Sequence, residues 1–121
     1  MSKRDFTNTG INTRLIHTGN DPQEFFGFVN PPVVHASTVL FPDAATMASR
    51  NQRYTYGTKA TPTTDALTTA IDALEGSAGT VLVPSGLAAV TIPLLAFLSS
   101  GDHILIVDSV YHPTRNFADT M

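Results

Sequence analysis

From Gly76 to Gly101 the chain carries no charged residue, and so long a charge-free apolar run has to be covered by protein or by lipid. The breakers inside it decide between the two. Thr80 to Val83 is a short β-branched stretch ended by Pro84; Ser85-Gly86 then opens a segment rich in Leu and Ala, so the apolar period changes from strand to helix across a small-residue turn. Pro84, Ser85, Gly86 and Pro93 would all sit inside a membrane span, and neither flank carries the Lys/Arg cluster or aromatic belt that fixes one in a bilayer. The run therefore reads as a strand, a tight turn and a buried helix, and no membrane partner is expected.

The neighbouring segments extend the pattern. Thr61-Pro62 followed by Asp65 is a helix entry, with Leu67, Ile71 and Leu74 as an apolar stripe and Gly76 as the stop. Helix 62–75, strand 80–83, helix 86–98 and strand 103–107 alternate with short links, and both strands are continuous apolar runs. The expected fold class is α/β, a partial parallel sheet with right-handed crossovers. Pro93 should kink the second helix, and Pro113 suits the first turn of a last one. Ligands of such sheets collect at the carboxyl ends of the strands, which places Pro84-Ser85-Gly86 and Asp108-Ser109-Val110-Tyr111 at one rim. The unpaired N–H groups at a helix start, reinforced by the helix dipole, make Ser85, Gly86 and Leu87 a phosphate cradle, and Tyr111 can stack on a flat ring beside it.

Upstream, residues 1 to 12 are polar and aperiodic, 13 to 17 starts a short helix or strand, and Gly19 to Pro22 is a turn cluster. Val33 to Phe41 reads as an extended loop able to cover a site, and Ala44 to Arg50 as a short helix. Arg53-Tyr54-Thr55-Tyr56-Gly57-Thr58-Lys59 concentrates phenols and cations in a glycine-containing loop, suited to an anion. The division follows as residues 1–60, an arm and loop region, and residues 61–121, the start of the α/β domain.

Composition narrows the function. A net charge of −3 with only seven Lys and Arg gives no footprint for nucleic acid. A charged fraction of 14% is well below the usual quarter, so much of the surface is expected to be covered by a partner or by further chain. With no cysteine and no two of the four histidines at a ligand spacing, no metal site is expected. His17 reads as a locally bonded loop histidine. The polar start lacks a secretory apolar core, and the chain reads as cytoplasmic. Ser85, Asp108 and His112 stand in the chain order of an α/β-hydrolase triad, but Ser85 lacks the Gly-x-Ser-x-Gly elbow; dinucleotide and Walker fingerprints are absent.

Taken together, Thr13-Arg-Leu-Ile-His-Thr-Gly19, Asn30-Pro-Pro-Val-Val, Tyr54-Thr-Tyr-Gly57, Thr61-Pro-Thr-Thr64, Leu74-Glu-Gly76, Pro84-Ser-Gly86, Gly101-Asp102 and Asp108-Ser-Val-Tyr-His-Pro-Thr114 resemble the pyridoxal-phosphate enzymes of cysteine and methionine metabolism, most closely the cystathionine β-lyases. The Tyr-x-Pro-Thr form at 111–114 looks more like β-lyases than γ-synthases or γ-lyases.

The resemblance implies the aminotransferase-like large domain (fold type I) and α,β-elimination of a sulfur amino acid, cystathionine, to homocysteine, pyruvate and ammonia, with pyridoxal 5'-phosphate as cofactor. It implies a homo-oligomer of the tetramer-of-dimers type. It assigns Ser85, Gly86 and Leu87 to the cofactor phosphate and Tyr111 to the pyridine ring. Tyr56 is assigned to the phosphate of a neighbouring subunit and to proton transfer. The family usually has Arg two residues after that tyrosine, whereas this chain has Thr58 then Lys59, which restores charge without the planar fork. The family's cofactor-linking lysine, pyridinium-binding aspartate and substrate-binding arginine belong to later sequence. These residues alone are therefore expected to be inactive, as the N-terminal portion of a carbon–sulfur lyase or as a non-enzymatic remnant or binding module.

Overall fold

The structure, a computed structural model, describes Phe6 and residues 8–121. Lys3 and much of the lead-in expected over residues 1 to 12 lie outside the described residues. The described elements are α1 (Ile11–His17), a 3₁₀ turn (Pro22–Phe25), α2 (Ala44–Ser49), α3 (Pro62–Glu75), α4 (Gly86–Phe97) and α5 (His112–Thr120). They fall into two compact units, Met1–Val81 and Leu82–Met121.

In the first unit α1 packs on α3. The sequence signals around α3 act as expected. Thr61 and Thr64 form a capping box, with the Thr61 N–H donating to Thr64 Oγ1 at 2.8 Å and the Thr64 N–H to Thr61 Oγ1 at 3.2 Å. Pro62 fills the first helical position, and Gly76 ends the helix at φ 64° with its N–H on the Asp72 carbonyl. Between the two cap threonines, Thr63 Oγ1 donates to the Pro32 carbonyl at 2.7 Å and accepts the Val34 N–H at 2.8 Å. One hydroxyl thus ties the Pro-Pro segment to the helix. Gly19, at φ 80°, runs so close to α3 that a Cβ would overlap the Ala66 carbonyl oxygen.

At the other end of α3, Asp72 Oδ1 accepts from Ser77 Oγ at 2.7 Å and Thr80 Oγ1 at 2.6 Å. These bonds, Thr80's first, hold its carboxyl below the ordinary 3.8. The Asp43 carboxylate caps α2 by accepting the Thr46 N–H at 2.7 Å, which lowers its pKa in the same way.

In the second unit α4 packs on α5. Ser85 caps α4 by accepting the Ala88 N–H at 3.1 Å. Pro93 lies within the helix and leaves the Ala89 carbonyl without its intrahelical donor. Pro113 occupies the first turn of α5.

The expected parallel sheet does not form: among the described residues no strand is present, and the one ladder-type contact is an antiparallel bridge between Thr38 and Tyr56. Residues 80–83 and 103–107 form neither helix nor strand, with Val81 83% and Leu105 100% exposed. The physical reason is coverage, because a parallel strand requires neighbours in the plane and layers on both faces. The apolar stripe of α3 is likewise only partly covered, Leu67 remaining 51% exposed. Among the described residues no hydrophobic side chain is fully buried; the buried positions are Thr61 and Thr114. At 12 residues α4 is about 18 Å long, and no helix among the described residues is long and apolar enough to cross a membrane.

Thr63→Val keeps the shape of the side chain and removes both bonds to residues 32–34. The Val34 amide should then exchange with solvent hydrogen at least tenfold faster while α3 retains its helical signature, a loss of about 1–3 kcal/mol for the stranded backbone groups; hydrogen exchange read by NMR measures it.

Candidate functional site

The residues that the sequence assigns to the cofactor fall in two units. Ser85, Gly86, Leu87 and Tyr111 belong to the second; Tyr56 and Lys59 belong to the first.

In the second unit, Ser85 Oγ takes the Ala88 N–H, while the N–H groups of Gly86 and Leu87, in the first turn of α4, have no intrahelical acceptor. The space above the turn is open, since a Cβ added at Gly86 would meet nothing within 4 Å. Two donors at the positive end of a helix dipole facing open space suit a phosphate. Tyr111, the residue before α5, presents a ring that is 69% exposed, and its carbonyl accepts the Thr114 and Arg115 N–H groups at 2.9 and 3.3 Å. A dianionic ester and a flat ring, the two ends of pyridoxal phosphate, therefore both find suitable groups in this unit. The triad reading fails on geometry, because the Asp108 carboxylate pairs with Arg115 at 3.3 Å and His112 is the first residue of α5.

In the first unit Tyr56 and Lys59 line a cleft of about 270 Å³ together with Phe41, Met47, Arg50 and Thr55. Its walls are fixed by backbone: Thr38 bridges to Tyr56, and the Gly57 N–H donates to the Ser37 carbonyl at 2.6 Å. Gly57 has no alternative here, as a Cβ would overlap the Ala36 carbonyl oxygen. Gln52 adds a side-chain tie, its amide donating to the Leu40 carbonyl at 3.2 Å and the Tyr54 carbonyl at 2.7 Å.

The loop bearing Tyr56 is also held from its other end. Asp65 Oδ2 accepts from Arg53 Nε at 3.3 Å, from a second Arg53 nitrogen at 3.2 Å and from the Tyr54 hydroxyl at 3.0 Å. Arg53 further pairs with Glu24 at 3.0 Å, and its guanidinium carbon lies 5.1 Å from the Tyr54 ring centroid. Burial, then the Asp65 bond, pushes the Tyr54 hydroxyl up to about 12 against the counteracting charge of Arg53. Sequence reasoning gave Asp65 a dipole role in the first turn of α3 and missed this hub. Its partners lie 11 and 12 residues upstream, where no local pattern reports them. The cluster borders a larger cleft, about 610 Å³, which Arg14, Asn20 and Asp72 also line. His17, the last residue of α1, stacks on Phe6 with ring centroids 4.9 Å apart, and both rings belong to the lining of the larger cleft.

Residues 12–121 match the family described as Cys/Met metabolism PLP-dependent enzyme. The chain belongs to that family. It is 74% identical over 114 residues to a Rhizobium johnstonii protein provisionally named cystathionine beta-lyase, an alignment covering 94% of this chain and 29% of that protein. Cystathionine beta-lyase MetC of Escherichia coli is 37% identical over 112 residues, 88% of this chain and 28% of that protein. The crystal structure of metB from Corynebacterium glutamicum superposes with a TM-score of 0.85 at 30% identity, over 97% of this chain and 30% of that one. The chain thus spans about three-tenths of the length of these family members.

The Tyr54 hydroxyl should ionise at about pH 12. Its folded-state pKa lies above the unfolded value of 10, so the stabilisation of its neutral form is complete below pH 10 and disappears as the pH rises through about 12. Ultraviolet titration of tyrosinate should show this late step, and Asp65→Asn, which removes the carboxylate, should move it down towards 10.

Proposed function

We propose that this chain is the N-terminal, cofactor-cradling part of a pyridoxal-phosphate-dependent carbon–sulfur lyase of the cystathionine β-lyase type. The observation that carries the reading is the open first turn of α4, with unpaired Gly86 and Leu87 N–H groups, in the same unit as the exposed Tyr111 ring. Membership of the Cys/Met metabolism family supports it. When bound, pyridoxal phosphate supplies the electron sink for carbon–sulfur cleavage. The chain's own groups hold and orient it. Ser85, Gly86 and Leu87 bind the phosphate through backbone N–H groups, and Tyr111 covers the ring. Tyr56, on a loop pinned at both ends, carries a phenol that can contact phosphate and exchange a proton, with Lys59 beside it. The net reaction is cystathionine plus water giving homocysteine, pyruvate and ammonia. Thr114, 6% exposed, donates its backbone N–H to the Tyr111 carbonyl at 2.9 Å, which ties Tyr111 to the start of α5.

The same reading assigns residues 1–60 to an arm and loop region that contacts a second copy in a homo-oligomer of the tetramer-of-dimers type, residues 61–121 to the beginning of the cofactor domain, and the protein to the cytoplasm. Residues 80–83 and 103–107 take strand form where neighbouring strands complete the sheet. The likeness to the metB structure, at a TM-score of 0.85, supports the fold type I assignment.

Titration of the chain with 4'-deoxypyridoxine 5'-phosphate, which has no aldehyde to react with lysine, should shift the amide resonances of Gly86 and Leu87. Tyr111→Ala should weaken that binding roughly tenfold, whereas Tyr111→Phe, which keeps the ring, should leave it within about twofold. A protein containing this segment should release pyruvate and homocysteine from cystathionine. Release of 2-oxobutyrate and cysteine instead would place it with γ-eliminating members and overturn the β-lyase reading, and no turnover would favour a binding module.

A further inference from the structure

The larger cleft of the first unit, about 610 Å³, lies within the range of about 300–1,000 Å³ that encloses a small molecule, and none of the residues proposed to touch the cofactor lines it. Its floor is set by backbone. The Thr18 N–H closes α1 on the Arg14 carbonyl at 2.8 Å, and Gly19 then passes against Ala66 too closely to carry a side chain. The charges in its lining are only partly matched. Glu24 and Asp65 are engaged by Arg53, and Asp72 by the Ser77 and Thr80 hydroxyls, whereas Arg14 and Asp21 have no ion-pair partner among the described residues. They do not pair with each other, so a gap separates a guanidinium and a carboxylate that share one cleft.

Asn20, next in the chain to Asp21, supplies an independent observation. Its Nδ2 donates to the Val29 carbonyl, which fixes Oδ1 as the remaining acceptor, and Oδ1 is buried with no donor among the described residues. An unmet buried acceptor is costly in a folded protein. The Asn20 side chain belongs to the cleft lining, so an N–H donor that enters the cleft supplies what Oδ1 lacks once the amide turns to meet it. Asn20 and Asp21 thus form an accepting pole, suited to an ammonium, and Arg14 a donating pole, suited to a carboxylate. The apolar part of the lining is aromatic, with Phe25 and the stacked Phe6 and His17 rings.

The geometry points to a binding site for a free, zwitterionic amino acid with an aromatic side chain, its carboxylate on the Arg14 guanidinium and its ammonium on Asp21 and the Asn20 oxygen. The guanidinium fork matches a carboxylate with two parallel bonds. A ligand carrying only one of the two charges leaves one pole unmatched, so the cleft selects by charge pattern as well as by shape. Every lining residue belongs to the first unit, and the inference stands whether or not the function proposed above holds.

L-Phenylalanine titrated into the chain should shift the side-chain amide resonances of Asn20 and the backbone amides of residues 14–21. Phenethylamine, which lacks the carboxylate, and 3-phenylpropionate, which lacks the ammonium, should each bind roughly tenfold more weakly, the loss of a charge-assisted contact. Arg14→Gln keeps a good helix former in α1; it should weaken L-phenylalanine roughly tenfold and leave phenethylamine within about twofold. Asp21→Asn retains the side-chain oxygen that accepts the Gln23 N–H; it should weaken L-phenylalanine roughly tenfold and leave 3-phenylpropionate within about twofold. Circular dichroism and NMR should show the helices intact in both variants, so that lost binding isolates the charge. Absence of any shift at residues 14–21 with millimolar L-phenylalanine overturns the inference, as do shifts confined to residues outside the cleft. Equal affinity for L-phenylalanine and either singly charged analogue overturns it too, because one pole would then be idle.

Discussion

The first turn of α3 is the point on which the first unit depends. Thr61 and Thr64 close the capping box, Thr63 holds residues 32–34, Asp65 holds Arg53 and Tyr54, and the Ala66 carbonyl lies against the glycine backbone at residue 19. Six consecutive positions, counting Pro62, thus start the helix and gather three separate stretches of loop around it. Such polar convergence substitutes for a core, since no hydrophobic side chain among the described residues reaches full burial. Each bond contributes only about 1 kcal/mol net, so the arrangement depends on several being made together.

That convergence is what gives the Tyr56 loop a defined place. Its start is tied to α3 through Asp65, and its centre to residues 37 and 38 through the Gly57 N–H and the Thr38 bridge. Gln52 closes the span between residues 40 and 54. A phenol, a lysine and an arginine then meet at one cleft although they come from a loop and a helix end. The Arg53 ion pairs are half exposed and add little stability individually; their geometric effect, fixing two residues ahead of Tyr56, matters more.

The second unit follows a different logic. Its helix start is left open rather than filled: Ser85 satisfies one donor, Gly86 presents no side chain, and Tyr111 exposes its ring. The proposed function assigns this open helix start and exposed ring to an anionic, planar ligand. The uncovered Leu95 and Phe97 show that the apolar α4 is only partly covered in this unit, because two short helices offer too little apolar surface to bury one another.

Local chemistry made much of this readable in the sequence. Thr61, Pro62 and Gly76 bound α3, Ser85-Gly86 start α4 and Pro113 starts α5, since caps and prolines act on their own few residues and need no distant partner. The family resemblance, and the cradle proposed at 85–87, rest on the same short motifs. Sheet formation was not decided there, because residues 80–83 and 103–107 have the composition of buried strands, yet pairing depends on neighbours and covering layers that composition cannot provide. Nor could sequence show that Asp65 serves Arg53 and Tyr54 rather than only a helix dipole, or that Arg50 and Lys59 line one cleft. Those contacts join residues 9 to 12 positions apart across loops, and only the tertiary path of the chain brings them together.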